Sequence, residues 1–324
     1  MRINIKIINN IILFILIFVL YFQQSRAQQR ETQIVQIYAV MSSDLRFYRE
    51  AYEGFQDGLL EANIRFNIDL KRKLNNGNSE ESIIREINDK KPDLILAIGT
   101  RAADFLCKNI KDIPIVFSMV NNPVFNNNSA FENNNVTGVT LSIPPLTQFR
   151  VLKQVYPGLQ NIGVIYTKNE NVNLINMADD AAGRLNLNLY RGEITNAREV
   201  PTRLENLMKF VDMIWIIIDS AVGTEESWRH IILECFRNNI PVAVPLENRV
   251  HAGGAFAVSA DYKMIGMQSA ELARKIIQGI PASRLGFESP KEIILYVNER
   301  ITNGIGIKIP EFIGNNLKVV YIYK

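Results

Sequence analysis

The sequence predicts an α/β protein with two doubly wound, parallel-sheet lobes around a hinge. One pattern occurs twice: a buried strand, a helix, and a second buried strand that begins beside a proline. The first copy runs from Lys91 to Ser118 and the second from Phe210 to Pro245. Strand and helix patterns also alternate at regular spacing along the chain, which is typical of βαβ units. Two such copies predict two similar lobes that face each other across a cleft.

The elements of the first lobe are predicted from short apolar runs and from helix-capping residues. The runs predict four strands, at Gln33–Val40, Phe66–Arg72, Asp93–Ile98 and Ile113–Phe117. Capping residues and polar turns separate them with three helices, at Arg46–Ala62, from Ser79 to about Asp89, and at Arg101–Asn109. A further strand over Val136–Leu141 starts the crossing to the second lobe.

The second lobe repeats this order of elements. Its strands are predicted at Asn161–Tyr166, Leu187–Gly192, Asp212–Ile218 and Pro241–Val244. Its helices are predicted at Leu146–Val155, Val172–Leu185, Ala197–Phe210 and Thr224–Arg237. The remaining elements are a strand at Gly253–Val258, a helix at Tyr262–Gln278 and a strand at Ile293–Val297. Since these must complete one lobe or the other, the chain is expected to cross between lobes more than once.

We assign residues 28–142 and about 253–282 to the first lobe, and residues 143–252 and about 283–324 to the second. Residues 1–27 have the three parts of a secretory signal peptide: a positive start, an apolar run over Ile11–Phe22, and a small-residue cleavage site at Ser25-Arg26-Ala27. A membrane-spanning helix needs about 20 apolar residues, so cleavage is favoured over an uncleaved anchor. No cysteine follows the apolar run for lipid attachment. A periplasmic or extracellular protein is predicted.

Charge and composition exclude several classes of function. Residues 1–27 hold three of the 36 basic residues and none of the 33 acidic ones, so the rest of the chain is neutral. Neutrality gives no reason to expect nucleic acid as a partner. Cys107 and Cys235 lie in corresponding helices of the two copies, where a disulfide would lock the cleft. His230 and His251 have no ligands at metal spacing. We predict no metal and no cofactor.

Common catalytic signatures are missing from the sequence. There is no Gly-x-Gly-x-x-Gly after the first strand, no phosphate-binding loop, no Gly-x-Ser-x-Gly elbow and no His-Glu-x-x-His. Neither histidine is near a candidate nucleophile in sequence. We therefore predict no catalytic residues.

The polar residues at the strand ends instead suit ligand binding. In doubly wound sheets, ligands bind in the crevice outside the carboxyl ends of the strands. The candidate ligand-binding residues are Ser43, Thr100 and Ser118 in the first lobe and Tyr166, Asn173 and Asp219 in the second. Helix capping alone explains any one of them, so the prediction rests on the whole set converging. Gly99-Thr100 suits a carboxylate at a helix N-terminus and Asp219 suits an ammonium group, which together describe an amino-acid site.

Several segments resemble, in order, those of ABC transporter substrate-binding proteins of the type I periplasmic-binding family that includes tryptophan- and tyrosine-binding members. They include Ile98–Ala103, Ile113–Phe117, Asn135–Val139, Gly163–Tyr166 with Glu170, Ile240–Val242, Gly253–Ala255 and Asp261-Tyr262. The resemblance covers nearly the whole chain after residue 27. It implies two lobes that close on a ligand, no catalysis, and docking to a membrane permease. The family usually has Asn where Thr167 stands and Ser where Asn173 stands, so substrate identity is not carried over.

The sequence therefore predicts an extracytoplasmic, monomeric solute-binding receptor of an ABC importer, with an amino acid or related small organic molecule as ligand. Two alternatives remain open. The same fold serves ligand sensors that report to a signalling kinase. A secreted α/β enzyme is the other, and it would lose turnover on Asp219→Ala, where a receptor would lose affinity.

Overall fold

The computed structural model describes residues 34–71, 74, 78–121, 131, 133–310 and 317–322. The predicted signal peptide, residues 1–27, lies outside these residues, as do residues 122–130 of the Asn-rich segment. Within the described part, no helix has both the length and the apolar composition that crossing a membrane requires.

The described residues form ten α-helices and thirteen strands. The helices are α1 (Arg46–Glu61), α2 (Asn78–Lys90), α3 (Thr100–Asn109), α4 (Pro145–Val155), α5 (Lys168–Arg184), α6 (Val200–Met208), α7 (Glu225–Arg237), α8 (Glu247–His251), α9 (Tyr262–Ile277) and α10 (Glu299–Gly304). The strands are β1 (Val35–Met41), β2 (Phe66–Lys71), β3 (Leu94–Ile98), β4 (Ile115–Val120), β5 (Val136–Thr140), β6 (Asn161–Thr167), β7 (Asn188–Ile194), β8 (Met213–Trp215), β9 (Val242–Val244), β10 (Phe256–Ala260), β11 (Phe287–Glu288), β12 (Ile293–Asn298) and β13 (Lys318–Ile322).

The strands form two sheets with the same internal order. The first sheet runs β11-β5-β4-β3-β1-β2 and the second runs β13-β12-β10-β9-β8-β6-β7. Read from β2 and from β7, both begin with the doubly wound order 2-1-3-4-5. Neighbours are parallel except for β10 and β12, which are antiparallel. The predicted fold class is confirmed, and the repeated sequence pattern corresponds to β3-α3-β4 and β8-α7-β9.

A carboxylate ties the same two strands together in each sheet. Asp93, just before β3, accepts a hydrogen bond from the backbone N–H of Gln36 on β1 at 2.8 Å. Asp212, just before β8, accepts one from the backbone N–H of Asn161 on β6 at 2.7 Å. Each aspartate also donates its own N–H to the carbonyl of the same partner, at 2.8 Å in both cases. In both lobes the same aspartate contact therefore joins the start of a central strand to the neighbouring strand.

The chain crosses between the lobes three times within the described residues. It crosses after β5 through residues 141–144, after β10 at Asp261, and after β11 through residues 289–292. The largest core cluster contains Met41 and Phe55 of the first lobe as well as Val164 and Leu295 of the second. A continuous apolar core therefore accompanies the crossings.

The predicted lobe boundaries are wrong for two strands. Strand β10 lies in the second sheet, although 253–282 was assigned to the first lobe. Strand β11 lies in the first sheet, although 283–324 was assigned to the second. Gly253, with φ 108°, follows the last turn of α8, and the chain crosses only after β10. Strand β11 has only two residues, too few to show a periodicity.

Helix α9 belongs to the first lobe because it packs closely against α1. A Cβ atom at Gly54 of α1 would lie 1.9 Å from the carbonyl oxygen of Lys263, and one at Gly266 of α9 would lie 1.9 Å from that of Ala51. The two helix backbones therefore touch without side chains between them. This contact holds the segment that follows the second crossing against the first lobe.

The two cysteines lie in corresponding helices, α3 and α7. Both are free and buried. Burial raises the pKa of Cys107 and of Cys235 to about 12. The prediction that they do not pair with each other agrees with this structure.

Candidate functional site

A cavity of about 890 Å³ lies at the junction of the two lobes. Ligand pockets in proteins typically measure about 300–1,000 Å³. Residues of the first and third crossings line it, together with Ala260 and Tyr262 on either side of the second. The second lobe supplies the starts of α4 and α5 and the ends of β8 and β9, and the first lobe supplies Asn121 and Thr140. The cavity is therefore at the carboxyl ends of the strands, where a ligand of this fold is expected.

Apolar side chains form one wall of the cavity. They come from the segment Trp215–Ile218 that ends β8, from Leu174 and Met177 of α5, and from Leu246. Although Ile218 is apolar, 56 % of it is exposed, and Met177 and Leu246 are also more than a third exposed. Covering this wall with an apolar ligand group would be favourable by about 25 cal/mol for each Å² removed from water.

The orientation of Trp215 is set by Gln148 of α4. The Trp215 indole Nε1–H donates to Gln148 Oε1 at 2.9 Å, and Gln148 Nε2 donates to the carbonyl of Ile143 at 2.8 Å. Trp215 also packs edge-to-face on Phe149, with the ring centroids 5.0 Å apart. Gln148 therefore connects a side chain of the cavity wall to the first crossing.

Hydrogen bonds connect the start of α3 to the cavity. The backbone N–H of Asn121 donates to Thr100 Oγ1 at 3.0 Å. The Ser142 hydroxyl donates to Asn121 Oδ1 at 2.8 Å. Since Asn121 and Ser142 both line the cavity, Thr100 reaches it through Asn121.

Two carboxylates line the cavity, and they have different partners. Glu288 accepts a hydrogen bond from Gln268 Nε2 at 2.6 Å and pairs with Lys291 Nζ at 3.0 Å. Burial alone would raise the pKa of Glu288, but the hydrogen bonds from Gln268 and Lys291 lower it. Glu170 accepts from the backbone N–H of Ser220 at 3.0 Å and from the Ser220 hydroxyl. Neither of its partners is a cation.

Asp219 does not line the cavity. Its carboxylate is buried, with 4 % of the residue exposed. It accepts five hydrogen bonds of 2.7 to 3.2 Å, from the backbone N–H groups of Thr167, Ala221 and Val222, the Thr167 hydroxyl and the Asn171 amide. Asp219 therefore joins the loop after β8 to the start of α5, and both of its oxygens accept hydrogen bonds from protein donors.

The structure places the other candidate residues differently. Asn173 lines the cavity from α5, and its side chain is exposed. Tyr166 is buried, and its hydroxyl donates to Glu193 Oε2 at 3.3 Å. Burial and Glu193 raise the pKa of Tyr166. Ser118 is fully buried with no hydrogen-bond partner for its hydroxyl among the described residues, and Ser43 is half-buried after β1. Asn173 is the only one of the six candidates among the described lining residues.

Sequence reasoning missed Gln148 and Trp215 as lining residues. Trp215 stands inside an apolar run and looks like plain core, while Gln148 looks like an ordinary helix residue. Glu170 belongs to a segment that resembles the family, but it is not among the six candidate residues. As the third residue of α5, Glu170 matches the position of a helix-capping glutamate, so the sequence carries no local signal that it lines the cavity.

Residues 35–319 match the family model for "ABC transporter substrate binding protein". This chain belongs to that family. As a member it is a substrate-binding protein that takes a small ligand, and proteins of this family work outside the cytoplasm and are not enzymes. The family prediction and the prediction of no catalytic activity are confirmed.

Two relatives show the extent of the similarity. A tyrosine-binding protein from Clostridioides difficile is 25 % identical over 252 residues, which cover 76 % of this chain and 71 % of the relative. An uncharacterised protein of Rickettsia prowazekii, RP367, is 29 % identical over 246 residues, which cover 76 % of this chain and 77 % of the relative.

Solved structures show the same fold. The ligand-free, open structure of CD0873, a substrate-binding protein with adhesive properties from Clostridium difficile, is 23 % identical with a TM-score of 0.74. The match covers 90 % of this substrate-binding protein and 100 % of CD0873. A Streptococcus pneumonia ABC domain in complex with L-Trp is 20 % identical with a TM-score of 0.60, covering 89 % and 100 %.

Proposed function

We propose that this substrate-binding protein is the receptor of an ABC importer that binds an amino acid in the cavity between its lobes and delivers it to a membrane permease. It acts as a monomer in the periplasm or outside the cell, after removal of residues 1–27. No nucleic acid takes part.

The observation that carries the proposal is the composition of the cavity. The lining combines the apolar segment from Trp215 to Ile218 with amide- and hydroxyl-bearing residues that include Asn121, Ser142 and Asn173. An amino acid has the matching arrangement of one apolar and one polar end. The relative named for tyrosine binding and the neighbour that holds L-Trp support an amino acid with an aromatic side chain.

The proposed delivery step requires that the ligand be held between both lobes. Closure would bury the exposed part of Ile218 and would bring one surface from each lobe into a fixed relation. A permease that contacts both surfaces would then distinguish the ligand-bound protein from the ligand-free one. The Asn121–Thr100 connection gives the first lobe a route to the ligand. Gly99-Thr100 does not line the cavity in this structure, and it is proposed to meet the ligand carboxylate only when the lobes close.

Residues 28–324 should be tested by thermal shift against the amino acids, a set of sugars and a set of purines. We expect one or a few amino acids with aromatic or large apolar side chains to raise the melting temperature. A sugar or purine that raises it while every amino acid fails would contradict the proposal.

Tryptophan fluorescence locates the binding. Trp215 lines the cavity, whereas Trp228 lies on α7 with the Arg249 guanidinium 4.6 Å from its ring centre. The emission change on binding should persist in Trp228→Phe and disappear in Trp215→Phe. The opposite pattern would place the ligand elsewhere.

A further inference from the structure

We infer that Glu170 binds a cationic amine of the ligand and that the cavity selects for ligands that carry one. This inference rests on the proposed function and names the ligand charge that the site accepts.

The first step is the charge of the cavity wall. Among the described lining residues, Glu170 and Glu288 are the charged ones, and none is Lys, Arg or His. The charge of Glu288 is balanced by Lys291 at 3.0 Å. Glu170 makes no ion pair with any described residue, and the nearby Lys168 pairs instead with Glu193 at 3.3 Å. The described lining therefore carries one negative charge, that of the solvent-exposed Glu170, with which no described cation pairs.

The second step is the availability of the Glu170 oxygens. Glutamate at the third position of a helix usually accepts the backbone N–H of the N-cap residue. Here that residue is Thr167, and its N–H already donates to Asp219 Oδ2 at 2.7 Å. Glu170 therefore does not cap α5. Its contacts to Ser220 occupy one position on each oxygen, whereas a carboxylate has about four acceptor positions.

The third step is that Glu170 is held in place before any ligand arrives. Two donors from Ser220 fix its carboxylate, and Asp219 fixes the loop that carries Ser220 by bonding Ala221 and Val222. A fixed acceptor loses little conformational entropy on binding. The buried carboxylate of Asp219 therefore supports the lining carboxylate of Glu170, and a cation would be bound by Glu170.

The absence of a basic lining residue decides what the cavity rejects. A carboxylic acid without an amine would bring a second negative charge near Glu170 with no described cation in the wall to compensate it. An amino acid avoids this because its ammonium group pairs with Glu170, while its carboxylate takes neutral donors. We therefore exclude simple organic acids from the ligands of this site.

The test uses three ligands that differ only at the charged end, measured by isothermal titration calorimetry: L-tyrosine, tyramine, and 3-(4-hydroxyphenyl)propionate. The corresponding tryptophan series extends the set. In the wild-type protein the propionate should bind at least about 10-fold more weakly than the amino acid, and the amine should retain measurable binding. Equal binding of amino acid and propionate would overturn the inference.

The variant Glu170→Gln keeps the size of the side chain and removes the charge. Its amide oxygen can accept from the Ser220 N–H, and its amide N–H can donate to the Ser220 hydroxyl oxygen, which reverses the second contact. It should weaken binding of L-tyrosine and tyramine about 10- to 100-fold, as expected for loss of a hydrogen bond to a charged group. Binding of the propionate should stay the same or improve. Glu234→Gln on α7, whose carboxylate pairs with Arg237 at 2.7 Å and does not line the cavity, is the control and should change each affinity less than about threefold.

A purely structural role for Glu170 would weaken all three ligands alike, and that outcome would overturn the inference. The outcomes also separate it from the proposed function. Binding of amines but of no amino acid, lost in Glu170→Gln, would support the inference and contradict the proposed function. Binding of neither amino acids nor amines would contradict both.

Discussion

The two lobes use the same chemistry at one end of their central strands and different chemistry at the other. Before β3 and β8, Asp93 and Asp212 make the same backbone contacts to the neighbouring strand. After these strands, the first lobe has Gly99 and begins a helix at once, whereas the second has Asp219 at the centre of five hydrogen bonds.

The difference follows from what each end does. At the end away from the cleft the strands only have to be aligned, so both lobes use the same aspartate–backbone hydrogen bonds. The cleft end of the first lobe brings α3 close to the strand through Gly99, whose φ is 88°. The cleft end of the second lobe instead positions a loop that carries Trp215 on one side and Ser220 on the other. One topology therefore produces two kinds of cavity wall.

The largest predicted effect is at the divergent end of the second lobe. Asp219→Ala leaves five donors of that lobe without their acceptor, and buried donors without partners are costly. We expect a loss of about 3–5 kcal/mol in the free energy of unfolding. Urea denaturation followed by tryptophan fluorescence measures it, because Trp215 and Trp228 both lie in the second lobe.

Asp212→Ala is the control from the shared end. Asp212 is half-buried and accepts from the N–H groups of Gln160 and Asn161 at 2.9 and 2.7 Å. Its loss should lower the same free energy by about 1–2 kcal/mol. If Asp219→Asn leaves stability intact and abolishes ligand binding, then Asp219 contacts the ligand and the contrast between Asp219 and Glu170 is wrong.

An intermediate effect is expected at Gly99 in the first lobe. A Cβ atom there would lie 2.6 Å from Ser42 Oγ and 2.6 Å from Tyr48 Cζ, at a backbone angle that favours glycine. Gly99→Ala should therefore destabilise the protein by about 1–3 kcal/mol. Thermal unfolding followed by circular dichroism measures this as a lower melting temperature.

Gly183→Ala on α5 is the matched control, because a Cβ atom at Gly183 has no neighbour within 4 Å. Gly183 lies in the last turn of α5, where alanine is better than glycine by up to about 0.5–1 kcal/mol, the value for a helix interior. The same substitution should thus have opposite signs at the two sites. A raised melting temperature for Gly99→Ala would show that the close approach at the first-lobe strand end is not required.

The two buried cysteines have the smallest effect at neutral pH, and it grows only above about pH 9. Their ordinary pKa is 9.0, and in the folded protein it is about 12 for both. Between these values the unfolded chain has lost protons that the folded chain retains, so stability is full below about pH 9 and falls as pH rises. Urea unfolding at several pH values between 8 and 11 measures this slope.

Cys107→Ala and Cys235→Ala should each remove part of the slope, and by similar amounts. A native-state thiol assay at pH 8 should find both cysteines unreactive, since the thiolate is the reactive form. Rapid reaction of one cysteine alone would break the equivalence of α3 and α7.

Much of the fold was predictable from local pattern. The apolar runs at Leu94–Ile98 and Ile115–Val120, each between turns and helix starts, predict strands because a buried parallel strand is apolar on both faces. The repeated pattern then predicts two lobes. Strand β11 and the exact place of the second crossing were not predictable. Two residues show no periodicity, and whether β10 joins one sheet or the other depends on partners far away in sequence.

The candidate site was predicted less completely. The sequence shows polar groups after the strands, including Asn173, Asp219 and Glu170. It does not show which of the two carboxylates lines the cavity. Asp219 and Glu170 are about 50 residues apart. Asp219 accepts from Thr167 at the start of α5, and Glu170 accepts from Ser220 in the loop after β8. Which carboxylate is buried is therefore decided only when the β6–α5 turn contacts that loop.

The sequence by itself determined the family, the two-lobe architecture and the absence of catalytic motifs, because these depend on patterns that repeat along the chain. Tertiary structure alone decided that Asp219 is buried by five protein donors and that Glu170 lines the cavity with Trp215. The physical reason is that a carboxylate is available to a ligand only if protein donors do not already occupy its oxygens. Those donors come from segments that only folding brings together.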